Sequence, residues 1–166
     1  MKKSFLILVI VGFLVIGLSE IQAQTTQPKF NQVELMKQFN GKWEGELAKD
    51  TLFYVDFKPF GTTGTDMYFK VVAGDNVLSE IMELFGYNSK LNKYIGTILE
   101  KGKDAEIGAC WFTSKNKYIV TYLNDISNPD KASWKCDGVF KSPDAITEIE
   151  YQNGKAVMTY NYKRVK

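Results

Sequence analysis

The chain has no histidine among its 166 residues. That absence excludes histidine ligation of haem or zinc, histidine general bases and histidine pH switches. It has a single arginine, Arg164, beside many scattered lysines. One guanidinium and a formal net charge of +2 give no electrostatic footprint for nucleic acid. Proline is scarce, with four residues, all in turn-like or leader contexts. Cysteine is scarcer, with Cys110 and Cys136 alone. There is no Gly-x-Ser-x-Gly elbow and no Gly-Lys-Ser/Thr phosphate loop. Gly61-Thr62-Thr63-Gly64 is glycine-rich but lacks the lysine and the following helix, so it reads as a turn.

Only one long apolar run is present, Phe5 to Leu18, preceded by Lys2 and Lys3. It is shorter than the roughly 20 apolar residues a bilayer span needs. Ile21-Gln22-Ala23-Gln24 follows, with a small residue at the cleavage position. Residues 1–23 therefore read as a cleavable signal peptide, and the chain is expected in the periplasm or outside the cell. Losing Lys2, Lys3 and Glu20 would leave a formal net charge of +1. No transmembrane segment is expected in the mature chain.

Residues 24–40 read as a polar leader followed by a short helix. Asn31 is a suitable N-cap, with Glu34 three residues on and Val33, Met36 and Phe39 near helical spacing. From Gly41 to the end the pattern changes. Short alternating runs recur at 42–48, 52–58, 65–72, 78–87, 92–99, 105–112, 117–123, 132–140, 145–151 and 156–164. Turn chemistry breaks them, strongest at Asn153-Gly154, which suits a type I′ hairpin. About ten strands with short connections predict an all-β fold, a single up-and-down antiparallel barrel over 41–166. Cys110 and Cys136 then fall on strands six and eight. Next-nearest strands lie about 9–10 Å apart, whereas a disulfide needs Cα atoms within about 7 Å. No disulfide between them is expected, although export would favour one.

Alternation assigns facings. Trp43 shares parity with Leu47, and Arg164 shares parity with Tyr160 and Tyr162 on the last strand. In a meander those two strands meet only if the sheet closes. Gly41, Trp43 and Arg164 are therefore expected to form a closure device, with the guanidinium stacked on the indole. The expected interior lining is Phe53, Phe57, Met67, Phe69, Glu80, Met82, Trp134, Phe140, Met158 and Tyr160. Strand 78–87 is ambiguous, because Glu80 and Glu83 have opposite parity and either can point inward. Glu148 and Glu150 share parity with Ile146 and pose the same question. The competing reading has all these carboxylates in solvent, with a bulge absorbing the conflict.

Gly41-Lys42-Trp43 after a short helix, with a late arginine, resembles the structural signature of the calycins, the lipocalin and fatty-acid-binding-protein group. Gly86-Tyr87-Asn88 followed by Lys93-Tyr94-Ile95-Gly96, and the ending Tyr160-Asn161-Tyr162-Lys163-Arg164, are similar to an uncharacterised bacterial domain-of-unknown-function family with lipocalin-like barrels. Asn88 departs from the aspartate usual there. The resemblance implies a barrel with an interior cavity and names no reaction. Nitrobindin-like haem barrels share the architecture but need a histidine, so no haem and no other cofactor is expected. The leading expectation is a non-catalytic barrel that binds a small hydrophobic molecule, a lipid or an aromatic compound. The alternatives are a filled barrel acting as an envelope interaction or inhibitor module and, less favoured, an enzyme using interior carboxylates and tyrosines.

Overall fold

The computed structural model describes residues 30–166. The expected signal peptide and the first part of the expected leader, residues 1–29, lie outside the described residues. Helix α1 (Gln32–Met36) opens the described chain and runs into a 3-10 turn, Lys37–Phe39. Asn31 caps α1, its side chain accepting from the Glu34 backbone N–H at 3.2 Å. Buried Gln32 ties α1 to the barrel. Its amide donates to the Phe112 carbonyl at 3.0 Å and accepts from the Phe112 N–H at 2.7 Å.

Ten strands follow: β1 (Gly41–Ala48), β2 (Thr51–Phe60), β3 (Gly64–Ala73), β4 (Asn76–Asn88), β5 (Lys93–Glu100), β6 (Glu106–Phe112), β7 (Lys117–Tyr122), β8 (Trp134–Ser142), β9 (Ala145–Gln152) and β10 (Lys155–Arg164). Each pairs antiparallel with its sequence neighbours, and β1 pairs with β10 to close the barrel. The expected up-and-down closed barrel is the fold. Asn153 and Gly154 both have positive φ, at 50° and 75°, as the β9–β10 hairpin requires. β8 starts two residues later than the sequence pattern suggests. Pro129–Lys131 forms a 3-10 turn, and the Asp125 carboxylate accepts from Ser133 backbone and hydroxyl at 3.3 Å, holding the chain out of the sheet. The 3-10 turn Leu123–Asp125 in this connection packs against β6, and buried Thr121 donates its hydroxyl to the Trp134 carbonyl at 2.7 Å.

The end of the barrel next to α1 is the floor. Trp43 and Arg164 are register partners across the seam. The Arg164 guanidinium lies 4.0 Å from the Trp43 ring centroid. Its Nη2 donates to the Gln38 and Pro143 carbonyls, each at 2.9 Å, and its Nη1 donates to the Asn40 carbonyl. Its Nε reaches Asp144 at 3.1 Å. Trp43, fully buried, donates its indole N–H to the Phe39 carbonyl at 2.7 Å. Phe39 plugs the floor against Phe57, Tyr118 and Phe140, with ring centroids 4.8–5.0 Å away. Gly41 adopts φ +118°, and a Cβ there would lie 2.9 Å from Arg164 Nη1. The glycine is needed both for backbone conformation and for room for the arginine.

Cys110 and Cys136 are buried free thiols on β6 and β8, with β7 between them. Among the described residues no helix is long and apolar enough to cross a membrane.

Candidate functional site: an acidic cavity inside the barrel

Above the aromatic floor the barrel is not filled. A cavity of about 460 Å³ occupies its interior. Its lower wall is Met36, Phe39, Phe57, Phe85 and Tyr118. Its opposite end is ringed by Leu78, Lys103, Tyr122, Trp134, Gln152 and Met158. These lie at the strand ends and turn remote from α1. Leu78 is 60% exposed and Met158 40%, so this end is the mouth.

Of the residues expected to line the interior, Phe57, Met67, Phe69, Trp134, Met158 and Tyr160 reach the cavity wall. Phe53 and Phe140 point inward but stop short of it. The Phe53 ring is drawn over Gly45, where it fills the space a Cβ would need, and packs on Tyr162 at 4.9 Å. Phe140 sits in the floor cluster with Phe39, Phe112 and Trp43.

Glu80 and Met82 require correction, because both face outward. Cross-strand partners share a face. β3 and β4 pair as Lys70 with Glu80, Phe69 with Ile81, Tyr68 with Met82, and Met67 with Glu83. The inward side of β3 carries Met67, Phe69 and Val71, so β4 turns Ile81, Glu83 and Phe85 inward. Met82 is 55% exposed. Glu80 accepts from Tyr68 Oη at 2.7 Å and pairs with Lys101 Nζ at 2.8 Å on the surface. A register shift opposite Val71 and Val72 leaves Leu78 as an extra residue near the start of β4. The bulge lies at the mouth and does not move the glutamates into solvent together.

Four carboxyl groups therefore line the cavity: Glu83 from β4, Glu148 and Glu150 from β9, and, at the mouth, Glu100 from β5, which is paired with Lys103. Glu148 accepts from Tyr118 Oη at 2.7 Å and Tyr162 Oη at 3.1 Å, with the Cys136 thiol nearby. Glu150 accepts from Tyr160 Oη at 3.1 Å, Trp134 Nε1 at 3.2 Å and Gln152 Nε2 at 3.2 Å. Tyr118 takes this position because its register partner is Gly138, where a Cβ would fall 1.9 Å from the tyrosine ring. Only glycine lets the ring lie across β8 toward Glu148.

Glu83 has no such donors. Its register partners are Met67 and Ile98, and its side chain makes no hydrogen bond among the described residues. No sealed side-chain polar atom among those residues lacks a partner, so the Glu83 carboxyl borders the cavity. Burial, with a contribution from the Glu148 charge, raises its pKa from the ordinary 4.5 to about 8. Burial also raises the Glu148 pKa, and the tyrosine and thiol donors hold it back. The same burial pushes up Cys110, Cys136, Tyr118 and Tyr162, so neither thiol is a ready nucleophile. The one ammonium on the wall, Lys103, is bound to Glu100 at 2.8 Å at the mouth.

The sequence left Tyr118, Tyr122 and Gln152 unassigned and offered Lys103 only as a solvated turn residue. The alternation Tyr118, Val120, Tyr122 on β7 was the available signal for the first two. No family model matches the chain, and no curated protein matches it in sequence.

Proposed function

We propose that this protein is an exported, lipocalin-like carrier that holds one small, largely apolar molecule inside its barrel without transforming it. The observation that carries this reading is the cavity of about 460 Å³ above the aromatic floor. Ligand sites commonly span about 300–1,000 Å³ and combine apolar walls with a few placed polar groups. Here the walls come from Met67, Phe69, Val71, Ile81, Ile98 and Val120, and the polar groups from Glu83, Glu148 and Glu150. Binding is favoured over catalysis by the chemistry of the donors. Both thiols are held protonated by burial, and the tyrosine hydroxyls are committed to carboxylates. Export rests on the amino-terminal apolar run and its small-residue cleavage position.

Native mass spectrometry of the mature protein, purified mildly from its native envelope, tests the reading. Adducts of a few hundred daltons that collisional activation strips from the protein are the expected result. An adduct-free protein that also fails to enhance a neutral hydrophobic dye would remove the carrier reading.

A second reading has its own observation. The outer face of β3–β5 exposes Tyr68, Met82, Leu84 and Leu99, with Tyr68, Met82 and Leu99 in register across three strands. Such a stripe suits an interaction module. Pull-down partners lost on Met82→Lys, with an empty barrel, would favour it over the carrier.

A further inference from the structure

We infer that the cavity selects organic cations: small molecules with an ammonium head, seated between Glu83 and Glu148, on an apolar body. This inference rests on the carrier reading above and narrows its ligand class.

The first argument is the count of donors and acceptors. Around Glu148 and Glu150 the side-chain donors are already spent. Tyr118 and Tyr162 donate to Glu148, while Tyr160, Trp134 and Gln152 donate to Glu150. Thr65 donates to the Lys58 carbonyl. What the wall still offers is acceptor capacity, concentrated on Glu83, which has no partner of its own. A ligand head that only accepts hydrogen bonds finds at most the proton of a neutral Glu83 and the Ser79 and Tyr122 hydroxyls nearer the mouth, and no fixed positive charge. A head rich in N–H donors finds a carboxyl with both oxygens uncommitted.

Charge gives the second argument. Glu83, Glu148 and Glu150 face the cavity, and the wall's single ammonium is neutralised by Glu100 at the mouth. A carboxylate head, as in a fatty acid, would bring a further negative charge into this space with no cation to meet it. Interior charges need a counter-charge or must neutralise. An incoming ammonium supplies that counter-charge and draws the proton off Glu83, whose pKa burial holds near 8 while the site is empty.

The wall itself gives the third. Phe57, Phe69, Tyr118 and Tyr160 line the same cavity as the acidic groups. Aromatic faces attract cations where water is excluded, and they bury an apolar body equally well. Unlike a surface acidic cluster, this arrangement turns a carboxyl with no hydrogen-bond partner among the described residues into an enclosed volume.

The test uses three probes of equal chain length and different heads: octylamine, octanol and octanoate. Each displaces the neutral dye N-phenyl-naphthylamine from the mature protein at neutral pH. Octylamine is expected to compete about tenfold or more better than octanol, the worth of a charge-assisted hydrogen bond. Octanoate should be the weakest. Glu83→Gln should erase the preference for octylamine over octanol, because the amide keeps the shape but cannot ionise to meet the ammonium. Glu80→Gln, on the outer face, should keep the full preference. Circular dichroism of both variants checks that the barrel is intact. If octanol or octanoate matches octylamine, the cation inference falls and the carrier reading stands. If Glu83→Gln keeps the preference, Glu83 is not the recognising group and the inference again falls. If the folded wild-type protein binds neither dye nor any probe, the carrier reading falls with it.

Discussion

The floor and the middle of this barrel each hold an ionisable group partly withdrawn from bulk water, and they treat it in opposite ways. At the floor, Arg164 is stacked on Trp43 and donates to carbonyls of Gln38, Asn40 and Pro143 and to the Asp144 carboxylate. In the middle, Glu83 sits between Met67 and Ile98 with no donor in reach. A buried charge with a full set of partners fixes structure, since removing any piece strands the others. A buried carboxyl beside empty space stabilises nothing and costs desolvation. The floor therefore reads as architecture. Glu83 makes sense as a group kept for something that enters from outside.

The largest expected effect lies on the floor side. Trp43→Ala removes a fully buried indole, the platform under Arg164 and the bond to the Phe39 carbonyl. Truncating a buried tryptophan costs about 3–5 kcal/mol. Urea unfolding should show the midpoint fall sharply, with ligand affinity lost only as a consequence of unfolding. A variant with wild-type stability and impaired binding would reverse the assignment and move Trp43 into the site.

An intermediate and pH-dependent effect is expected at Glu83. Its folded pKa is raised to about 8 from 4.5, so between those values the folded state holds a proton that the unfolded state has released. Stability contributed at this position is therefore highest below the unfolded pKa. It declines as pH rises through the window, and the loss is complete above about 8. Glu83→Gln carries no titrating group. Relative to wild type it should be neutral near pH 4 and stabilising by several kcal/mol near pH 9, the sign opposite to that at the floor. Urea midpoints at both pH values measure it. An equal difference at the two extremes would mean that Glu83 does not titrate from a buried position, and the contrast between floor and middle would collapse.

How far these two regions could be read beforehand follows the same division. The floor was legible because its signals are local or terminal. Asn31 with Glu34 marks the cap, Gly41-Lys42-Trp43 marks the first strand, and the lone Arg164 shares parity with inward residues on the last. Asn153-Gly154 fixed a hairpin by backbone chemistry alone. The middle was not legible, because both parities of β4 look alike. Ile81, Glu83 and Phe85 on one face and Glu80, Met82 and Leu84 on the other each mix one glutamate with two apolar residues. Only pairing with Met67 and Phe69 on β3 decides between them, and that is tertiary information. Gly138 is a similar case. Nothing in its neighbours says that a tyrosine ring from β7 must cross it.

The smallest expected effect belongs to the glutamate that faces the other way. Glu80 holds Lys101 and Tyr68 at short distances, and these bonds lower its pKa. Yet they lie at the surface, where water competes for each partner and salt screens the pair. Glu80→Gln should leave the urea midpoint unchanged within error at neutral pH and should not alter dye binding. The expectation is informative because Glu80 and Glu83 differ in sequence only by position along one strand. If Glu80→Gln emptied the cavity and Glu83→Gln did not, β4 would run in the opposite facing in solution. Glu80 would then take the place of Glu83 beside Glu148 and Glu150, which already accept from tyrosine, tryptophan and glutamine donors. A silent Glu80→Gln beside a pH-dependent Glu83→Gln would separate a surface ion pair from a recognition group three residues away.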